Sequence, residues 1–290
     1  MYPRLNQFTN IMVQQLSLFG TLDDPSYDLF VSTMTTLSGN PPIAFAKLST
    51  AWKPNPEYQI EGVNTKNQLV EQTRIKLERK LPLSALIDGY TAKPEAKYTH
   101  NLVKDMLTDD IHIEYKQLHE QINGTQSTSD PDKMDVDSQE PASSTSDNEA
   151  WSVTIADIPA AGNNRKVSMQ TINESVLMSH VGPNTTISSI MGELGYVFEY
   201  QYITAGVKFN LKHNLIVELQ KIWNVTETSK RQVTKGGYII KAFINVGKAT
   251  DIERMNFTES VLLNLQKELQ GYVELTVPDR KSMDSRMGLV

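Results

Sequence analysis

From Leu194 to Val225 apolar and polar residues alternate with a period of two. Tyr196, Phe198, Tyr200 and Tyr202 share one parity, and Val197, Glu199, Gln201 and Ile203 the other. Past Gly206, Val207, Phe209 and Leu211 alternate with Lys208, Asn210 and Lys212. Past His213 and Asn214, Leu215, Val217, Leu219 and Lys221 alternate with Ile216, Glu218, Gln220 and Ile222. Such alternation in aromatic and β-branched residues, broken at Gly and Asn, predicts three consecutive antiparallel strands with turns at Gly206 and at His213–Asn214.

The rest of the chain supplies the sheet these strands must join. Val13–Leu22 reads as a strand. Asp24 then stands as the N-cap of a helix with Pro25 in its first turn. Tyr27, Phe30, Val31, Met34 and Leu37 form one apolar stripe, and Ser38–Gly39 ends the helix. Ile43–Trp52 and Thr73–Leu77 read as extended. Met106–His119 is ambiguous, its first part read as strand. Trp151, Val153 and Ile155 face one way along another strand, followed by Lys166–Met178 as a strand or strand pair. Asn184 or Thr185 caps a short helix carrying Ile187, Ile190, Met191 and Leu194. Tyr238, Ile240, Ala242, Ile244 and Val246 mark a strong strand. Asn256 with Glu259 forms a capping box for a last helix that buries Val261, Leu262, Leu265 and Leu269 and stops at Gly271. Tyr272–Val277 reads as a final strand. About eight to ten strands against two or three helices, with no internal repeat, predict a mainly β (α+β) fold. Closure into an antiparallel barrel removes the edges of so many strands.

Composition divides the chain. Residues 123–150 hold seven acids and one base with scarcely an apolar side chain, too little to offset chain entropy, and are expected to be a disordered acidic insertion. Residues 13–122 and 151–286 together are expected to form one barrel domain, with 1–12 an extension outside the core (Met12 being a candidate second start) and 287–290 a tail. The net charge is −6. Setting the insertion aside, 34 acids less 7 and 28 bases less 1 leave 27 of each. A neutral body lacks the electrostatic footprint of a nucleic-acid binder and is prone to associate with a partner. The lack of cysteine favours a reducing compartment, and no run is long enough to span a bilayer. With no secretory route implied, the five Asn-x-Ser/Thr sites (Asn123, Asn173, Asn184, Asn224, Asn256) carry no meaning.

Candidate chemistry is sparse. There is no nucleophile elbow, phosphate-binding Gly-rich loop or dinucleotide fingerprint. His100, His112, His119, His180 and His213 show no metal-ligand spacing, and Asp135 with Asp137 falls in the acidic segment. The sharpest enzymatic alternative is a metal-dependent tunnel-type triphosphatase. That chemistry needs carboxylates at i and i+2 on one strand, both turned into the lumen to hold the metal. No Glu-x-Glu occurs; Glu199, Glu218 and Glu274 each stand alone, expected to face solvent or a lysine. Tyr196, Tyr200 and Tyr202 suit either a small-molecule cavity or plain core. No catalytic, cofactor or metal residue is nominated.

Nine longer stretches carry a resemblance: VQQLSLFG (13–20), LSGNPP (37–42), WKPNP (52–56), RIKL (74–77), DIPAAGNNRKVSMQTI (157–172), LGYVFEYQYITAGVKF (194–209), LQKIW (219–223), LQKELQGYVEL (265–275) and VPDRKSMDSR (277–286). Through them the chain resembles the Mediator subunit 18 family of budding yeasts, over Val13–Leu77 and Trp151–Arg286. The resemblance implies a tunnel-type β-barrel related in shape to RNA triphosphatases but without their activity. It implies a non-enzymatic coactivator subunit of the Mediator head module, in the nucleus, linking activators to RNA polymerase II. It further implies a heterodimer with Mediator subunit 20, tethered by the C-terminal helix of Mediator subunit 8. No cofactor, membrane or sequence-specific nucleic acid is implied. The exposed side of the Tyr27–Leu37 helix, nearby Phe19 and the interstrand loops are candidate contact surfaces, without residue-level assignment.

Overall fold

The computed structural model describes residues 11–58, 71–83, 86, 104, 111, 118, 122, 149–162, 165–179, 186–227 and 229–287. Among them are nine strands: β1 (Ile11–Asp23), β2 (Ile43–Pro54), β3 (Ile75–Lys80), β4 (Glu149–Ala156), β5 (Ser168–Ser179), β6 (Tyr196–Asn210), β7 (Ile216–Val225), β8 (Lys230–Gln232) and β9 (Gly237–Val246). Three α-helices accompany them: α1 (Tyr27–Ser38), α2 (Ile187–Glu193) and α3 (Ile252–Glu268). The sheet runs β6-β2-β3-β4-β5-β1-β9-β7-β8, and the further pairing of β6 with β7 closes eight of the strands into a ring. Every pairing is antiparallel, and β8 is an appendage on β7. Closure leaves no strand of the ring with one side wholly unpaired, which limits the edge available to template aggregation.

Cross-strand partners point to the same face, so one parity can be followed around the whole ring. Leu16, Leu18 and Leu22 lie opposite Ile244, Ala242 and Tyr238. With Leu48, Leu77, Trp151, Val207, Leu219 and Trp223 they are buried in one continuous apolar cluster. This parity faces outward. The helices lie over it: Phe30 of α1 meets Phe209 edge-on at 6.3 Å, Tyr27 stacks on Tyr238 at 5.1 Å, and α3 buries Leu262 and Leu265 against β9 and β1. Trp52, Trp151 and Trp223 are among the largest fully buried side chains. Each buried large apolar group contributes about 1.5–3 kcal/mol, so the principal hydrophobic layer lies between barrel wall and helices. The barrel interior takes the other parity.

Several expectations need correction. Gly206 is not a turn: β6 runs unbroken for 15 residues through Thr204–Gly206, and only the hairpin at Lys212–Asn214 turns, with His213 and Asn214 at φ 62° and 61°. Glycine serves there because a backbone passes close by, a common meaning of glycine within a strand. Asp24 caps no helix; it opens a short 3₁₀ turn, and its carboxylate reaches Lys221 instead. The last helix starts earlier, with Asp251 accepting from the Arg254 N–H at 3.0 Å, so Asn256 and Glu259 lie inside α3. The α2 cap is Thr186, whose hydroxyl accepts from the Ser189 N–H. Tyr272–Val277 contributes only a single bridge, Thr276 to Phe19, on the side of β1 left free where its pairing with β5 ends at Ser17. Strand β1 begins at Ile11 and β4 at Glu149, each two residues before the expected boundary.

Other expectations hold. Helix α1 buries Tyr27, Phe30, Val31 and Met34 and ends at Gly39, at φ 69° with its N–H bonded to the Thr35 carbonyl. Leu37 is half-exposed. The acidic segment up to residue 148, most of Met106–His119, and His100, His112, His119 and His180 lie outside the described residues.

Candidate functional site

The inward parity includes Gln15, Ser17 and Phe19 on β1, Ser168 and Gln170 on β5, Ser152 and Thr154 on β4, and Lys76, Glu78 and Lys80 on β3. It continues with Lys47 and Ser49 on β2, Tyr200, Tyr202, Thr204 and Lys208 on β6, Glu218 and Gln220 on β7, and Lys241, Phe243 and Asn245 on β9. Strands β3 and β9 are four steps apart around the ring in either direction, so Lys76 and Lys241 face each other across the lumen. The aromatic stripe of the meander is therefore partly lumen wall: the rings of Tyr200 and Tyr202, on the inward parity, lie 6.3 Å apart, and Tyr200 is half-exposed. Phe19, a candidate outer contact, points inward as well.

Charges dominate one side of this lumen. The Lys76 ammonium lies 3.2 Å from Glu78 Oε1, the Ser49 hydroxyl donates to the same oxygen at 3.1 Å, and Lys47 stands 3.9 Å away. Lys47 also reaches Glu218 at 4.0 Å, linking β2 to β7 across β6. On the next rung Lys208, Glu218 and Lys241 are consecutive cross-strand partners. Burial pushes the Glu78 carboxyl up, but the Lys76 and Lys47 ammoniums and the two hydrogen bonds outweigh it and hold the group at about 2. Burial, reinforced by Lys76 and Lys47 across the lumen, pulls the Lys241 ammonium down to about 8 against the opposing pull of Glu218 and Glu78. The Lys241 ammonium lies 4.7 Å from the Phe243 ring centre and 5.9 Å from that of Phe19. Among the described residues no carboxylate lies within ion-pair distance of it.

The arrangement does not suit a divalent cation. Along β3 the lumen-facing neighbours of Glu78 at i−2 and i+2 are Lys76 and Lys80, and along β7 those of Glu218 are Ile216 and Gln220. A hard cation needs several convergent oxygen ligands. Here each carboxylate is neutralised by lysine, and no group of three candidate ligands converges among the described residues. Of the other lone glutamates, Glu199 lies at the bulge of β6 opposite Ala51 and Trp52 and is gripped by Arg74 at 2.7 and 3.2 Å, while Glu274 is exposed. His213 stands edge-on to Phe257 at the β6–β7 turn. The lumen lysines were missed in the sequence because Lys47 and Lys241 occur singly among apolar neighbours and Lys76 lies in the mixed-charge run Arg74–Lys80; their common parity was the available signal.

The depressed Glu78 carboxyl has a pH consequence. The unfolded chain takes up this proton near 4.5, so the contribution to stability is complete above that value and is lost as pH falls towards 2. Glu78→Gln is expected to flatten the acid limb of urea midpoint plotted against pH between 4.5 and 2. An acid limb identical to that of the parent protein would contradict this account.

The outer surface offers isolated apolar side chains. Leu29 on the outer face of α1 is 60% exposed, and Ile252 and Phe257 project from α3. A groove of about 710 Å³ lies between the end of α3 and the segment 271–276.

Comparison with known proteins agrees with this architecture. A family model described as Med18 protein matches residues 14–286. The protein named Mediator of RNA polymerase II transcription subunit 18 from Saccharomyces cerevisiae is 48% identical over 303 residues, covering 95% of this chain and 98% of that protein. Its namesake from Candida glabrata is 41% identical, covering 96% and 97% respectively. A chain in the structure of the Schizosaccharomyces pombe Mediator head module aligns with a TM-score of 0.55 at 12% identity, over 91% of this chain and 98% of that one, a likeness of fold. Matched along nearly its full described length, and sharing close to half its residues with a relative of equal extent, the chain belongs to the Med18 protein family.

Proposed function

We propose that this protein is a non-enzymatic subunit of the Mediator coactivator complex, acting in the nucleus as a protein–protein adaptor in the head module between activators and the RNA polymerase II machinery. The observation that carries the proposal is the 48% identity with a Mediator subunit 18 across 95% of this chain and 98% of that protein. The lumen supports the absence of catalysis, since Glu78 and Glu218 are engaged by Lys47 and Lys76 rather than left as a metal-binding pair. The family resemblance supports two partners: Mediator subunit 20, and the C-terminal helix of Mediator subunit 8. An amphipathic helix docks by laying an apolar stripe into a groove, with a few aromatic or aliphatic anchors carrying most of the affinity.

Co-expression with those two partners followed by size-exclusion chromatography tests the reading. One co-eluting peak containing all three chains is expected, together with no phosphate release from a triphosphate in the presence of manganese. Elution of this chain alone, or turnover lost on Glu218→Gln, would overturn it.

A further inference from the structure

We propose that the barrel lumen is a metal-free binding site for a small dianionic oxyanion of the phosphate class, held by Lys47, Lys76, Lys208 and Lys241. Three features of the interior lead there. The first is charge balance. These four lysines, on β2, β3, β6 and β9, face only Glu78 and Glu218 in the same belt, an excess of two positive charges. Including Lys80 at the rim and Glu174 on the far wall leaves the excess at two. Concentrating like charges inside a protein wall is unfavourable unless a counter-charge enters.

The second feature is the state of Lys241. It is enclosed by the ring, has aromatic rings rather than a carboxylate beside its ammonium, and is opposed by Lys76 from across the lumen. An anion on the lumen axis would supply the missing partner. The third is size and polarity. An eight-stranded ring leaves an interior that side chains fill or that holds one small ligand. The wall facing the lysines carries no charge and so does not repel an oxyanion: it is made of Gln15, Ser17, Ser168 and Gln170, with the Gln15 amide donating to Asn245, the Ser168 hydroxyl to the Met283 sulfur and the Gln170 amide to the Asp157 and Met283 carbonyls. Lysines act as point charges towards phosphate and need no fixed bidentate geometry.

Calorimetric titration of the full chain with inorganic pyrophosphate and inorganic phosphate, in EDTA at constant chloride, tests this. One saturable site per chain is expected. Affinity should fall at least about tenfold in Lys241→Met and in Lys208→Met, be retained in Lys241→Arg, and be unchanged in Lys230→Met on the appended strand β8. Circular dichroism melting identifies the folded variants, and Lys208→Met, at a less enclosed position, decides the matter if Lys241→Met does not fold. A second measurement is competitive acetylation at pH 8, in which pyrophosphate should protect Lys241 and leave Lys230 reactive. The proposal is overturned by the absence of saturable heat, or by equal affinity in the parent and both folded lumen variants, which would place binding on the outer surface. Neither result bears on co-elution with Mediator subunits, so the two readings fail separately.

Discussion

Gly206→Ala is expected to be among the most destabilising single-methyl additions in this protein, costing on the order of 3–5 kcal/mol. Gly206 lies in the middle of β6, paired with Gln220 of β7. A Cβ built on it would stand 2.0 Å from the Leu219 carbonyl oxygen and 2.8 Å from the Gln220 Cα. Both are backbone atoms, so no side-chain rotation relieves the clash; the β6–β7 ladder that closes the ring has to separate. Gly192→Ala in α2 provides the contrast. Nothing lies within 4 Å of a Cβ there, and the change should be neutral or stabilising by about 0.5–1 kcal/mol. Urea midpoints for the two variants measure the difference directly. A Gly206→Ala loss under about 1 kcal/mol would mean that the strands are held less rigidly than this packing implies.

Asp24→Ala is expected to cost about 3 kcal/mol, through the charge it strands rather than through the carboxylate it deletes. Lys221 occupies the outward, apolar parity of β7 and is 1% exposed. Its ammonium is 2.7 Å from Asp24 Oδ1 and 4.6 Å from the Tyr238 ring centre. With Asp24 gone, the buried ammonium keeps the Tyr238 ring as its charge-stabilising neighbour among the described residues. Lys221→Met removes the charge itself and fills much of the same volume, so it should be far milder, and the double variant should lie within about 1 kcal/mol of Lys221→Met. A double-mutant cycle on urea unfolding gives the coupling. Equal and additive losses from both single variants would show that the pair is not acting as a unit.

Lys221 illustrates how residue pattern and structure divide the information. The alternation Leu215, Val217, Leu219, Lys221 placed this lysine on the apolar face, and it is there. What the pattern lacked was the partner. Asp24 is nearly 200 residues away, and its position before Pro25 suggests a helix cap. The tertiary ion pair prevailed because a buried ammonium gains more from a carboxylate than a solvated helix end gains from a cap. Gly206 misled for a related reason. Glycine breaks a pattern equally well whether the chain turns or a second backbone passes close by, and only the presence of β7 distinguishes the two.

The candidate site was less legible still. The absence of paired glutamates could be read directly, because i and i+2 on one strand is a local relation that the sequence carries. Whether Tyr200 and Tyr202 form core or cavity wall could not be read locally, since both parities of β6 contain aromatic or aliphatic groups. Four lysines drawn from β2, β3, β6 and β9 are separated by up to about 190 positions, and no spacing rule connects them.

By itself the amino-acid order determined the strand-rich character, the α1 stripe with its glycine stop, the hairpin at His213–Asn214 and the two parities of each strand, all of which follow from interactions a few residues apart. The tertiary structure alone decided which parity turns inward. Ring closure through β6 and β7, with helices covering the outer wall, puts the apolar parity beneath the helices and leaves the lysine-bearing one inside, because burying the larger apolar area outweighs the cost of enclosing a few partly compensated charges.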